Sequence, residues 1–514
     1  MKNFDALKAR LLQVDDLGRI ASILHWDQAT YMPPRGAETR GRHLATLSRL
    51  AHERFVDAET GRLLDAAAKE TEDLPYDSDQ ASFVRVARRQ WDLAVRKPVS
   101  LVAEFQEHLA KSYQAWTVAK PANDFAAVRP FLEKTLEFSR RIADCYPGYD
   151  HIADPLIDVY DYGMKAATVR TVFSDLRSRL TPLVQAIASR PLADDACIRQ
   201  HAPAAAQLDF GLEVIRGFGY DFDRGRQDLT HHPFQTTFAW GDIRITTRVR
   251  EDDLTDALFS TLHECGHALY EQGVDAKFEG TPLGGGTSAG VHESQSRLWE
   301  NLVGRSRGFW EFAYPRLQGA FPEQLRGVAL DTFYRAINRV ERTLIRTDAD
   351  EVTYNLHVMM RFDLELDLLE GKVAVKDLAR VWRERIEADL GRPVPDDRNG
   401  VLQDVHWYSG QIGGVFQGYT LGNILSAQFY DRAVAAHPAI PADVRRGEFG
   451  KLRGWLTENI YRHGSKFTAP ELIERVTGGP LRIEPYVDYL WRKYGELFGL
   501  RRDLAAVDNV PSPP

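Results

Sequence analysis

The chain of 514 residues is 44% hydrophobic and 27% charged, with 38 Gly and 25 Pro, a balance that excludes collagen-like, low-complexity and wholly disordered chains and supplies a large core. Its 65 Lys and Arg against 73 Asp and Glu leave a net charge of −8, mixed along the whole chain, which argues against a basic face for nucleic acid. Cys145, Cys197 and Cys265 are odd in number, far apart and without CxxC spacing, so neither a disulfide framework nor a cysteine-rich zinc module is expected.

The first twelve residues place charges every few positions, where a signal peptide needs an unbroken apolar stretch. No run approaches the roughly 18 apolar residues of a membrane span, and the expectation is a soluble cytoplasmic protein. Apolar residues then recur at helical spacing, as in Leu44, Leu47 and Ala51 and again in Ile345, Ala349, Val352, Leu356 and Met359. Breaks fall at Pro33 to Gly36, Pro147-Gly148, Gly217 to Gly225, Gly280 to Gly290 and Gly410 to Gly418. None resembles a long linker, so one helical domain over 1–514 is predicted.

Phe234 to Thr247 breaks the helical pattern: it alternates, is rich in β-branched and aromatic residues, and carries Gly241-Asp242 at its middle. That predicts a β-hairpin with a two-residue turn, serving either as a surface flap or as an edge strand for an extended peptide. Directly after it, His263-Glu264-Cys265-Gly266-His267 fits HExxH, flanked by Leu258, Leu262 and Leu269. One helical turn separates the two imidazoles, so both can reach one metal, while Glu264 can act as general base on a water in the open position. Cys265 points away from the histidine face and is expected in the core.

A catalytic zinc needs a third protein ligand. Glu293, in His292-Glu293-Ser294-Gln295-Ser296-Arg297 after the glycine-rich loop, is the candidate, with His292 competing; adjacent helix positions point about 100° apart, so the two are not expected to share the ion.

At this point the chain resembles the carboxypeptidase Taq family of metallocarboxypeptidases. The resemblance rests on His232-Pro233-Phe234, Asp242 to Thr247, the HExxH segment, His292 to Arg297, Ile345 to Asp350 and Gly400 to Trp407, in that order, with Asp154-Pro155-Leu156 as a further segment. It implies a mainly α-helical, two-lobed fold around a deep groove with a small β-sheet, similar to neurolysin and angiotensin-converting enzyme, residues 1–200 forming one side and 230–425 carrying the catalytic motifs. It also implies release of C-terminal amino acids from peptides with broad specificity, a zinc ion held by His263, His267 and Glu293 (cobalt serving in some members), Glu264 as general base, and a homodimer.

The same resemblance directs attention to His406 and Tyr419 as donors to the developing oxyanion, though an unaided reading of Tyr419 is a packed aromatic. A terminal carboxylate calls for the planar fork of an arginine, and Arg346 is the candidate; the alternative is a surface pair with Asp350, four residues on in a helix. Arg244 is a rival, as is Arg297, which is better suited to orienting Glu293. Gln403 and His232 are further candidates for substrate contact, His232 being held extended by Pro233. The competing functions are an endo-oligopeptidase with the same chemistry and a helical binding protein with a structural or vestigial site.

Overall fold

The spacing of apolar side chains becomes helix along most of residues 1–502, the part that the computed structural model describes. Among the described residues the β-structure is one three-stranded sheet, in the order β1-β3-β2, and no helix is long and apolar enough to cross a membrane. The chain folds into two compact units, each drawn from three stretches. The first takes 1–95, 195–337 and 429–480; the second takes 96–194, 338–428 and, of the described residues, 481–502. The N-terminal stretch contributes to both units, with the change near residue 95, because long-range packing and not sequence proximity decides which helices cluster.

In the first unit the sheet comprises β1 (Gln227–Leu229), β2 (Gln235–Ala239) and β3 (Asp242–Thr247). The predicted hairpin is present, but its two linking residues are Trp240 and Gly241, one position earlier than Gly241-Asp242, and the pairing shifts between Thr237 and Ala239. An extra residue at Phe238 takes up the difference. β3 is central, and its Ile243 and Ile245 are fully buried, as strict alternation over a covered face requires. β2 is an edge, though the Thr237 carbonyl already accepts a hydrogen bond from Arg19 Nη1 at 2.9 Å, out of the N-terminal helix Lys2–Thr30.

Below the sheet runs the helix Asp256–Gly273, tied to β3 by the Thr261 hydroxyl on that of Thr247 at 3.2 Å. A second helix, Ala289–Arg297, starts where the Ser288 hydroxyl accepts from the Val291 amide and widens into a π-helical turn over Leu298–Val303. The two helices meet at Gly266. A Cβ there would stand 2.5 Å from the Gln295 carbonyl oxygen and 2.6 Å from Ser296 Cα, so only glycine permits this approach.

The second unit is built around Tyr354–Glu370, whose apolar residues are buried all round, as in a helix enclosed by others. The helix predicted through Ile345 to Met359 is absent in its first half. Arg346–Asp348 form a single 3₁₀ turn, Ala349 is extended, and Asp350 accepts from the amides of Glu341, Val352 and Thr353 and from the Thr353 hydroxyl. Asp350 thus organises the start of the next helix and is not the helical partner of Arg346; local side-chain to backbone bonding has outcompeted the helix.

Candidate metal centre and a buried arginine cluster

In the first unit, the one-turn spacing of His263 and His267 aims both imidazoles off one side of the helix, and the close approach at Gly266 brings Glu293 to them. Glu293 Oε2 lies 3.6 Å from His263 Nε2 and 3.4 Å from His267 Nε2. One ligand atom from each of the three residues lies within 4.8 Å of the others, a convergent donor set of the kind a divalent cation takes. Each donor is held from behind: His263 Nδ1 faces Glu300 Oε2 at 3.0 Å, His267 Nδ1 faces His292 Nδ1 at 2.6 Å, and Glu293 Oε1 accepts from Arg297 Nε at 2.7 Å. With the outer nitrogens engaged, the Nε2 lone pairs are free to coordinate.

The electrostatics agree with that assignment. Glu293 is buried, which pushes its carboxyl up, but Arg297 and the two histidines outweigh burial and hold it far below the usual range. Burial lowers His267 to about 4, keeping the imidazole neutral. Glu264 is pushed up to about 7, first by desolvation and opposed by His263, and it makes no side-chain hydrogen bond among the described residues. A carboxyl with a pKa near neutrality and no competing partner suits proton transfer.

Arg297 sits where the sequence places it, on the Glu293 carboxylate, and Cys265 is fully buried. His292 stays outside the donor set and bonds to His267. Sequence reasoning missed Glu300 and Glu271, the latter bonded to His292 Nε2 at 2.9 Å. Both carried a signal: Glu271 follows His263 and His267 at the same four-residue interval, and Glu300 lies two turns after Glu293.

Two remaining candidates in this unit are placed differently from the centre. His232 is exposed in the loop before β2. Arg244 gives its fork to Asp242, with Nε and Nη2 each at 2.8 Å, and lies over the rings of Trp26 and Phe238 at 4.5 and 4.9 Å. That bidentate engagement makes it a poor receptor for a second carboxylate.

The second unit holds Arg346, which is 7% exposed. Its Nε donates to Asp404 Oδ1 at 3.1 Å, its Nη1 to the Tyr354 hydroxyl at 3.0 Å, and its guanidinium lies 5.3 Å from the Tyr419 ring centre. Its Nη2 makes no hydrogen bond among the described residues. Asp404 also accepts from the fully buried Arg361 at 2.5 Å, and the two guanidinium groups hold its carboxyl far below the usual range despite burial. His406 Nε2 lies 3.4 Å from the Tyr419 hydroxyl, and its Nδ1 lies 3.7 Å from Asp404.

Gln403 lies within the same cluster. Its amide oxygen accepts from the Arg346 backbone N–H and Arg361 Nη2, and its nitrogen donates to the carbonyls of Leu344 and Asn399. That saturates the group, leaving nothing for a substrate; Gln403 braces the arginine turn.

Comparison with known proteins places these features in context. Residues 6–494 match the family model described as Carboxypeptidase Taq (M32) metallopeptidase. The chain is 39% identical over 497 residues to thermostable carboxypeptidase 1 of Thermus thermophilus, covering 94% of this chain and 96% of that protein. It is 35% identical over 496 residues to carboxypeptidase 1 of Bacillus subtilis, covering 96% and 98%. The crystal structure of a carboxypeptidase of the same family from Deinococcus radiodurans superposes with a TM-score of 0.95 at 53% identity, over 97% of this chain and 100% of the other.

Proposed function

The chain belongs to the carboxypeptidase Taq family of metallopeptidases and is a metal-dependent carboxypeptidase, and on that premise we propose that His263, His267 and Glu293 hold one divalent ion and Glu264 is the general base. The convergence of the three donor atoms within 4.8 Å carries the ligand assignment. A bound ion supplies Lewis-acid activation of water and of the scissile carbonyl. Zinc is the ion proposed, since two imidazoles and a carboxylate suit it, with cobalt as the substitute.

Glu264 accepts the proton of the attacking water and delivers it to the departing amine, so its carboxyl passes through both protonation states in each cycle. Arg346 binds the terminal carboxylate of the peptide. Two features support that role: its charge is kept despite burial, by Tyr354, Asp404 and Tyr419 beside it, and Nη2 is left over after the internal bonds are counted. His406 and Tyr419 are proposed as donors to the former carbonyl oxygen, in keeping with the family resemblance and their mutual distance of 3.4 Å. His232 is retained as an outer substrate contact; Gln403 and Arg244 are assigned to the framework.

The proposed substrates are peptides with a free C-terminus, trimmed with broad specificity by a cytoplasmic homodimer that engages neither nucleic acid nor membrane. Mass spectrometry of the products from one peptide, as free acid and as C-terminal amide, with and without chelator, tests the reading. Loss of single C-terminal residues from the acid alone, abolished by chelator, is expected. Internal cleavage of both forms would point to an endo-oligopeptidase.

A further inference from the structure

His263 and His267 are held by different devices. His263 Nδ1 meets a carboxylate directly, at Glu300. His267 Nδ1 meets another imidazole, His292 Nδ1, at 2.6 Å, and only beyond it does a carboxylate appear, Glu271 Oε1 at 2.9 Å from His292 Nε2. Two ring nitrogens at that distance share one proton, and the chain of contacts assigns every position. A His267 that gives its Nε2 lone pair to a metal keeps its proton on Nδ1; His292 Nδ1 must then be bare, which puts the His292 proton on Nε2, facing Glu271.

Glu271 is buried and does more than accept that hydrogen bond. Its Oε1 also accepts the Gly286 amide at 2.8 Å, and its Oε2 accepts the Thr237 hydroxyl of β2 at 3.3 Å. Gly286 is pressed against the same imidazole: a Cβ there would stand 2.7 Å from His292 Cδ2 and 2.7 Å from the Tyr270 ring. The glycine-rich loop therefore closes over His292 and fixes its ring plane.

We propose that His292 and Glu271 are positioning residues that act through His267: Glu271 sets the His292 tautomer, His292 Nδ1 thereby accepts a hydrogen bond from the His267 Nδ1–H, and the Nε2 lone pair of His267 is aimed and made more basic for the ion. The proposal rests on the ligand assignment above. It makes the glycine-rich loop and β2 part of the metal site, since both bond to the carboxylate that starts the relay.

Co²⁺ is the probe, because its visible ligand-field bands report the donor set without any turnover. The full-length apoprotein is titrated with Co²⁺ against a competing chelator, comparing wild type with Glu271→Gln, His292→Gln and His292→Asn. Glu271→Gln keeps an acceptor for Gly286 and removes only the charge. In His292→Gln the amide end replaces Nε2 and His267 loses its acceptor; in His292→Asn an amide oxygen replaces Nδ1 and the acceptor is kept.

Glu271→Gln and His292→Gln are expected to weaken Co²⁺ binding by about 10–100-fold and shift the bands, with His292→Asn recovering most of the loss. Binding within about twofold of wild type and unchanged bands in Glu271→Gln and His292→Gln would overturn the relay, as would an Asn variant as damaged as the Gln variant, which would mean packing alone. If Glu271→Gln does not fold, the two His292 variants, which leave Glu271 and its loop bond in place, decide the matter. A wild type that takes up no Co²⁺ would instead defeat the ligand set itself, and the relay with it.

Discussion

Alanine at Gly266 tests the geometry that assembles the centre. The added methyl would sit 2.5 Å from the Gln295 carbonyl oxygen and 2.6 Å from Ser296 Cα, against the roughly 3.5–4 Å at which carbon atoms rest. Both obstacles are backbone, so the helices must part by about 1 Å. Glu293 rides on the displaced helix, where its Oε2 now stands 3.4 and 3.6 Å from the two Nε2 atoms. Overpacking of this kind costs about 1–3 kcal/mol of stability, and a 1 Å displacement of a positioned group costs about 10²-fold in rate. Denaturant unfolding, Co²⁺ titration and peptide turnover should all register the change. Gly18 is the control: it lies in the exposed part of helix Lys2–Thr30, where an added methyl would meet nothing within 4 Å, so Gly18→Ala should stabilise by about 0.5–1 kcal/mol. Wild-type metal affinity and unfolding midpoint in Gly266→Ala would refute the close-approach argument.

Glu264→Gln should keep the metal and lose a factor of about 10²–10⁴ in turnover; activity within about tenfold of wild type, at equal metal content, would remove Glu264 from the general-base role. Glu293→Ala should lose both metal and activity, while His292→Ala, which removes only a supporting bond, should be milder; the opposite ranking by elemental analysis would shift the ligand by one residue. Arg346→Ala should weaken cleavage of a free-acid peptide by about 2–5 kcal/mol and leave the amide little changed, with the fold spared because Asp404 keeps Arg361; an intact acid preference would send the role elsewhere. The Glu365 carboxyl, buried and bonded to Trp407 Nε1, is pushed by desolvation up to about 7 from 4.5. The folded state therefore binds this proton more tightly than the unfolded chain, so its contribution to stability is full below about pH 4.5 and falls by about 3 kcal/mol as pH rises through 7. Glu365→Gln should raise the melting temperature at pH 8 more than at pH 5, and an equal effect at both would contradict the shift.

The centre is legible in the sequence where chemistry maps onto short spacing. A four-residue interval puts His263 and His267 on one side of a helix whatever surrounds it, and Glu293 follows because few other carboxylates open a helix after such a loop. Glu271 continues the same interval but draws no notice, since a carboxylate one turn beyond a ligand pair is usually a solvated charge. The arginine turn reads as helix because Ile345, Ala349 and Val352 have helical spacing; only the bonds that Asp350 makes to the amides after it show the chain leaving helix there. The hairpin turn moves by one residue because alternation does not reveal the bulge at Phe238. The division near residue 95 leaves no mark on composition, as it depends on partners some hundred or more residues away.

The interleaving of the units has a consequence for synthesis on the ribosome. The donor residues all lie in the middle stretch of the first unit, yet Tyr461, from its last stretch, donates to Gln295 at 3.0 Å, receives the Trp299 indole and stacks on Tyr270 at 5.1 Å. Tyr461 is translated about 170 residues after Glu293, a delay of about 10–30 s at 5–20 residues per second. Throughout that interval the helix bearing Glu293 has been made but lacks the side chain that clamps it. A nascent chain thus contains all three donor residues well before it contains the tyrosine that packs against the helix carrying Glu293.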